Sequence, residues 1–390
     1  MNGVIVRILA TRALRNIGYG WLTVALALLL EQRGYTSQLV GALFTIGLIA
    51  GAIYAASTSQ WVRRFDRRAT LVVASLLMAA SGVLLWFPHG YVATLAAMLL
   101  GTVGLGTQEV GPFSSLEQTL VADAAEGQAA AIFGYYNIVG LFAVAVGAAM
   151  PALAPAEAAP LGYATIALAL AAIYASMPAV PAPSQTTKTP IAAHVPRAVE
   201  RLAVLFAVDA FGGGIIVQSF MAYWFTVRFH ADGHMLGIVF FIANTIAAAS
   251  LLFAAPLARR IGPVRTMVFT HLPSNVLLAA IPLAPTFEWA AVILIARFAF
   301  SQMDVPVRQA MVMSIVTPEE RPRAAGLTNA IRPAAAAFGP AVAGVTMAGA
   351  SIGLPFYLAG FIKIAYDVSV FAQFHELDAK LLAHDMSSRA

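Results

Sequence analysis

Long apolar runs alternate along this chain with short polar breaks. Crossing about 30 Å of hydrocarbon takes roughly 20 residues of helix. Runs long enough to do so fall near 11–31, 38–60, 69–87, 92–122, 129–151, 160–180, 199–226, 235–257, 264–285, 288–316, 323–349 and 352–374, and predict twelve membrane-spanning helices. Between the sixth and seventh lies Pro181-Ala182-Pro183-Ser184-Gln185-Thr186-Thr187-Lys188, a polar stretch with proline and no apolar period, which reads as a linker. The expected organisation is an all-α membrane protein. A six-helix bundle over 1–180 precedes a cytoplasmic linker over 181–198, a second six-helix bundle over 199–374 and a cytoplasmic tail over 375–390.

The two halves share a pattern. Thr107-Gln108-Glu109-Val110-Gly111-Pro112 reads like Ser301-Gln302-Met303-Asp304-Val305-Pro306, 194 residues later, and the same offset pairs Glu126 with Glu320. At an offset of 196, Arg63-Arg64-Phe65 matches Arg259-Arg260-Ile261. A register held through several elements points to duplication of one membrane half, and tandem halves of this size are a signature of secondary transporters.

Composition agrees with a membrane location: 60% of the 390 residues are hydrophobic and 11% charged, against roughly 25% charged in soluble domains, and mean hydropathy is +0.80. The formal charge of +5 does not point to nucleic acid, because the basic residues sit in short loops rather than a patch. Lys and Arg collect at one set of helix ends: Arg7, Arg63, Arg64, Arg67, Arg68, Lys188, Arg197, Arg201, Arg259, Arg260, Arg265, Arg321, Arg323, Lys380 and Arg389. The other set holds little beyond Arg33 and Arg228. Positive loops stay inside, so both termini are expected in the cytoplasm of a multi-pass protein of the bacterial inner membrane, surrounded by lipid and acting as a monomer. Without cysteine there is neither a disulfide frame nor a thiolate metal site. The N-terminus lacks the features of a cleaved secretory signal, so the first apolar run is expected to remain in the mature chain.

Ionisable residues inside spans cost about 2.5 to 3.5 kcal/mol each and need a reason to be there. In the tenth span, Arg297, Asp304 and Arg308 fall within about 40° of one another on a continuous helix, with Ser301 on the same stripe. Two arginines and one carboxylate make a net positive site for an anionic group, or a salt-bridged lock between helices. Pro306 is expected to kink this helix. Glu109, beside Gln108 in the fourth span, is placed to carry a coupling proton or to stay paired with an arginine. Glu117 and Asp123 are read nearer the cytoplasmic interface.

The seventh span supplies Asp209, three glycines at 212–214 and Gln218; its counterpart in the first is Arg15-Asn16-Ile17-Gly18-Tyr19-Gly20. First helices of duplicated halves tend to line the cavity, so Arg15, Asn16, Tyr19, Gln218 and Asn329 join the substrate candidates, and Asp209 and Asp304 join Glu109 as proton candidates. Arg12 is read as snorkelling to the interface. Lys363 and Asp367 form an i,i+4 pair able to neutralise itself. His230, Asp232 and His234 are too few for a metal, no phosphate-binding glycine loop is present, and no cofactor or enzymatic chemistry is expected. Energy must then come from a gradient. The partners expected are a small-molecule substrate and protons. Aromatics at Tyr19, Trp21, Tyr135, Tyr136 and Trp224 lean the reading toward efflux of an amphiphilic or anionic solute; Arg297 and Arg308 favour uptake of an organic acid instead.

The twelve spans, the central linker and the basic loop after the second span resemble the major facilitator superfamily over essentially the whole chain. The superfamily's Gly-x-x-x-Asp-Arg-x-Gly-Arg-Arg loop is similar to Ser59-Gln60-Trp61-Val62-Arg63-Arg64-Phe65-Asp66-Arg67-Arg68, with Arg63 where the family carries Asp. Its echo is Ala258-Arg259-Arg260-Ile261-Gly262-Pro263-Val264-Arg265. The resemblance implies two pseudo-symmetric six-helix bundles, alternating access around a central site, and a cytoplasmic gate at Arg63, Arg64, Arg67, Arg68, Arg259, Arg260 and Arg265. Gly339-Pro340-Ala341-Val342-Ala343-Gly344 is similar to the Gly-Pro bend of drug/proton antiporters but lies in the eleventh span, not the fifth, so the subfamily of this bacterial member is not assigned.

Overall fold

The computed structural model describes residues 3–87, 90–100, 103–106, 111–124, 129–177, 197–317, 320–349 and 351–387. The described residues are helices and short connections. Along the chain run α1 (Gly3–Gln32), α2 (Ser37–Trp86), α3 (Tyr91–Leu99), α4 (Pro112–Ala124), α5 (Ala129–Ala149), α6 (Ala159–Ala175), α7 (Arg197–Ile215) and α8 (Gln218–Phe229). They are followed by α9 (Gly233–Ile261), α10 (Pro263–Ala280), α11 (Phe287–Phe298), α12 (Asp304–Ser314), α13 (Arg321–Ala337), α14 (Gly339–Gly349) and α15 (Leu354–Ser387).

Nine stretches among the described residues are long and apolar enough to cross a membrane. They correspond to nine of the twelve sequence spans; the other three hold pairs of shorter helices, α3 and α4 near 92–122, α11 and α12 near 288–316, and α13 and α14 near 323–349. The predicted tenth helix is therefore not continuous. α11 stops at Phe298 and α12 starts at Asp304. Pro306 lies in the first turn of α12, where a missing N–H costs nothing, so it helps to start a helix instead of kinking one. Its counterpart in the repeat, Pro112, opens α4. The duplicated motif thus leads into a helix start in both halves.

The chain divides into two compact units: Met1–Thr186 with Val217–Asn244, and Thr187–Ile216 with Thr245–Ala390. In the first unit α1 crosses α5 at backbone distance: a Cβ on Gly20 would lie 2.2 Å from the Val144 carbonyl oxygen, and one on Gly147 would lie 2.1 Å from that of Ile17. In the second unit α7 crosses the α13–α14 junction the same way, with Gly214 against the Ala336 carbonyl oxygen and Gly339 against Gly214. Gly20 and Gly214 are 194 residues apart, so the duplication preserved a small-residue crossing, the usual device for close helix approach in lipid. Apolar side chains such as Leu202, Phe206, Met267, Met311 and Val370 form the core of the second unit.

One turn was solved differently in the two halves. Asp66 adopts positive φ (65°) inside α2, and its carboxylate accepts from the Ala69 N–H at 2.7 Å. Its counterpart at an offset of 196 is Gly262, φ 93°, where no side chain is available. Asp378, on the extension of α15, supplies the carboxylate instead and accepts from the N–H groups of Val264 (2.7 Å) and Arg265 (2.9 Å) at the start of α10. Burial holds the Asp378 carboxyl above the ordinary aspartate value, against the opposing pull of the two amides.

Candidate functional site

Two clusters of buried polar groups, one in each unit, occupy related positions in the repeat. In the first, Arg15 of α1 makes a bidentate pair with Glu117 of α4: Nη1 donates to Oε1 at 2.8 Å and Nη2 to Oε2 at 2.6 Å. Thr11 (2.9 Å), Tyr174 of α6 (2.5 Å) and Tyr136 of α5 (2.7 Å) also donate to this carboxylate. The Arg15 guanidinium packs over the Phe113 ring, 4.7 Å from its centroid. Both members of the pair are fully buried. Glu117, expected to cap or pair toward the cytoplasmic interface, is paired and is the hub of four helices, because a buried arginine needs a carboxylate. Arg12, expected to snorkel, lies over the Tyr136 ring at 4.4 Å.

Asp209 stands 194 residues after Arg15 and carries the opposite charge. It is the hub of the second cluster. Lys363 of α15 donates to its Oδ1, Arg332 of α13 donates to Oδ2 at 3.0 Å, Arg308 of α12 lies 3.8 Å from Oδ2, and His271 of α10 lies 3.7 Å from Oδ1. Asp304 and Arg308 pair with each other one turn apart on α12. Gly212 makes room for this arrangement, since a Cβ there would meet Lys363 Cγ at 2.9 Å. The expected Lys363–Asp367 pair is replaced: Lys363 turns to Asp209, while Asp367 takes His271 Nδ1 at 2.8 Å and the Asn275 amide at 2.8 Å. Five helices meet here with three carboxylates and three permanent cations. Such a network can exchange partners without creating a bare buried charge, which is the property a moving membrane protein needs.

The remaining sequence candidates lie elsewhere. Arg297, at the end of α11, is separated from Asp304 by the break, so the single stripe of Arg297, Ser301, Asp304 and Arg308 keeps only its Asp304–Arg308 step. Arg297 is half-buried with its guanidinium beside the Phe298 ring; among the described residues neither its Nε nor the Ser301 hydroxyl has a hydrogen-bond partner. Asn16 and Tyr19 are buried on α1, the latter 6.2 Å from the Tyr163 ring. Gln218 opens α8 in the first unit, buried, with both amide atoms unpartnered among the described residues. Gln108 and Glu109 lie outside the described residues, as does the side chain of Asn329. Of the expected gate arginines, Arg63, Arg64, Arg259, Arg260 and Arg265 are exposed and Arg67 is buried, while Arg68 donates to the Met177 carbonyl at 3.3 Å. Asp232 accepts from the Met235 amide at the start of α9, at 2.8 Å. Among the described residues no group of His, Asp and Glu is arranged to hold a metal.

The sequence reading missed His271, Asn275 and the role of Glu117. A histidine inside the 264–285 span was itself a signal, since ionisable residues at membrane depth mark functional sites by default.

A sequence model of the Major Facilitator Superfamily matches residues 8–300 and 202–375. An uncharacterized membrane protein of Saccharomyces cerevisiae is 23% identical over 417 aligned positions, covering 94% of this chain and 93% of the yeast protein. Among solved structures, the nucleoside transporter NupG superposes with a TM-score of 0.77 at 14% identity, covering 96% of this chain and 99% of NupG. The xylose transporter XylE from E. coli superposes with 0.70 at 15%, covering 94% and 96%.

Proposed function

Because this chain belongs to the Major Facilitator Superfamily and is a secondary transporter of that fold, we propose that it moves a small organic anion by alternating access, coupled to protons, as a monomer in the bacterial inner membrane. The observation that carries the substrate class is Arg297: a half-buried guanidinium next to a helix break, with no acidic partner among the described residues and the unpartnered Ser301 hydroxyl four residues on. A cation left in this state at membrane depth is costly, and a carboxylate or phosphate on the solute would complete it through bidentate hydrogen bonds. Proton coupling is assigned to the Asp209 and Asp304 cluster, with Glu109 a candidate from sequence. Of the aromatics that favoured an amphiphile, Tyr136 is committed to Glu117, Trp224 is fully packed and Tyr135 is exposed.

A second reading, export of an amphiphilic solute, is favoured by two groups in the first unit: the Trp21 indole N–H and the Gln218 amide, buried polar atoms without partners among the described residues.

Counterflow in proteoliposomes separates the two readings. Internal unlabelled lactate, benzoate or succinate is expected to accelerate entry of the labelled acid. Arg297→Gln removes a charge-assisted contact worth about 1.5 to 3 kcal/mol, so the half-saturating concentration should rise about tenfold or more. Exchange of neutral amphiphiles with no anion counterflow would overturn the anion reading in favour of the second.

A further inference from the structure

His271 of α10 is held between two carboxylates on different helices. Its Nδ1 is 2.8 Å from Asp367 Oδ1 on α15, and its Nε2 is 3.7 Å from Asp209 Oδ1 on α7. Asn275, one turn along α10, donates to Asp367 Oδ2 at 2.8 Å and holds that carboxylate in place. An ionised carboxylate only accepts, so Nδ1 carries the hydrogen in the neutral ring. Nε2 then presents a lone pair to Asp209, and protonation converts it to a donor. Around the ring also lie the Asn275 Nδ2, 3.1 Å from Nδ1, Tyr366, edge-on to the ring at 5.9 Å, and the groups gathered on Asp209: Lys363 from α15, Arg332 from α13, and Arg308 with its partner Asp304 from α12.

Asp209, Asp304 and Asp367 balance Arg308, Arg332 and Lys363, so the cluster is neutral with His271 neutral and carries one surplus positive charge with His271 protonated. Histidine is the side chain that ordinarily changes charge between about pH 5 and 8. A protonated Nε2 competes for the Asp209 carboxylate that Lys363 and Arg332 already share. Of the cations on Asp209, Arg332 has the most exposed side chain, 20% against 6% for Arg308 and 8% for Lys363, so it loses least on release.

We propose that His271 takes up the coupling proton and that its protonation frees Arg332 from Asp209 to meet the solute anion, with Asp367 and Asn275 as positioning residues. Resting on the anion reading above, this makes the protein a symporter. One surplus charge is neutralised by one anion, so the two bind cooperatively, and by linkage the anion raises proton affinity as much as the proton raises anion affinity. The proton gradient then drives the solute in the direction in which protons flow.

The proton site can be tested without the solute. The full chain, with its other six histidines replaced and His271 kept as the single one, is reconstituted in lipid with 15N-labelled histidine and titrated by NMR. Nδ1 should stay protonated throughout, while Nε2 passes from lone pair to protonated as the pH is lowered. An Nε2 protonated at every pH would make His271 a permanent salt-bridge cation, and one never protonated would make it a neutral hydrogen-bonding group; either result overturns the proposal. In vesicles with the membrane potential clamped, a one-unit pH gradient should concentrate the transported acid about tenfold in wild type. In His271→Gln the ratio should fall to about one, and acid counterflow should need a higher acid concentration, because Arg332 stays on Asp209. A His271→Gln protein that still concentrates the acid tenfold refutes the inference alone, whereas absence of acid counterflow in wild type refutes the anion reading and leaves the NMR result to decide the proton site.

Discussion

The Arg15–Glu117 pair makes the sharpest stability prediction, because it depends on no knowledge of the solute. Glu117→Gln keeps the shape of the side chain but removes its charge, and leaves the Arg15 guanidinium fully buried without an anion. Two charge-assisted contacts, at 2.8 and 2.6 Å, are affected. One is lost outright, because the new amide NH2 faces donors, and the other becomes a neutral carbonyl contact. A charge-assisted bond is worth about 1.5 to 3 kcal/mol, and breaking one side of a buried ion pair costs about 3 to 5 kcal/mol; the two ranges describe one event and are not added. The expected loss is therefore about 3 to 5 kcal/mol in reversible unfolding from detergent micelles. Arg15→Gln alone should cost a comparable amount, since Glu117 would keep only the three hydroxyl donors. The double variant should recover most of the loss and lie within about 2 kcal/mol of wild type, because both buried charges are gone. A Glu117→Gln protein within about 1 kcal/mol of wild type, or a double variant no better than either single, would refute the view that unpaired charge sets the cost.

Two further predictions follow from the second unit. Asp304→Asn should sharply reduce transport, and adding Arg308→Gln should restore much of it whereas adding Arg297→Gln should not, because Arg308 is the paired arginine; rescue by the Arg297 change instead would mean the stripe is continuous after all. Asp378→Ala should cost about 1 kcal/mol, the usual price of a lost N-terminal cap, and speed hydrogen exchange at Val264 and Arg265; unchanged exchange at those amides would show that the α15 carboxylate does not hold them.

The apolar runs alone specify a twelve-span membrane protein, since length and hydropathy are local properties that lipid reads directly. Repeats in register predicted two halves, and even the Arg15 to Asp209 correspondence was legible. Partners were not. A helix sequence states which residues share a face, yet whether Glu117 meets lipid headgroups or Arg15 depends on how α1, α4, α5 and α6 pack, and that packing turns on a backbone crossing at Gly20 and Gly147. The break between Phe298 and Asp304 likewise redirects Arg297 away from Asp304, which no helical period could foresee. Lys363 reaches Asp209 and not Asp367 because Gly212 leaves space for its stem and the Asp209 carboxylate is nearer its charge. The sequence determined which charges enter the membrane; only tertiary structure decided which of them neutralise one another, because a buried ion's partner is set by distance in space rather than by spacing along the chain.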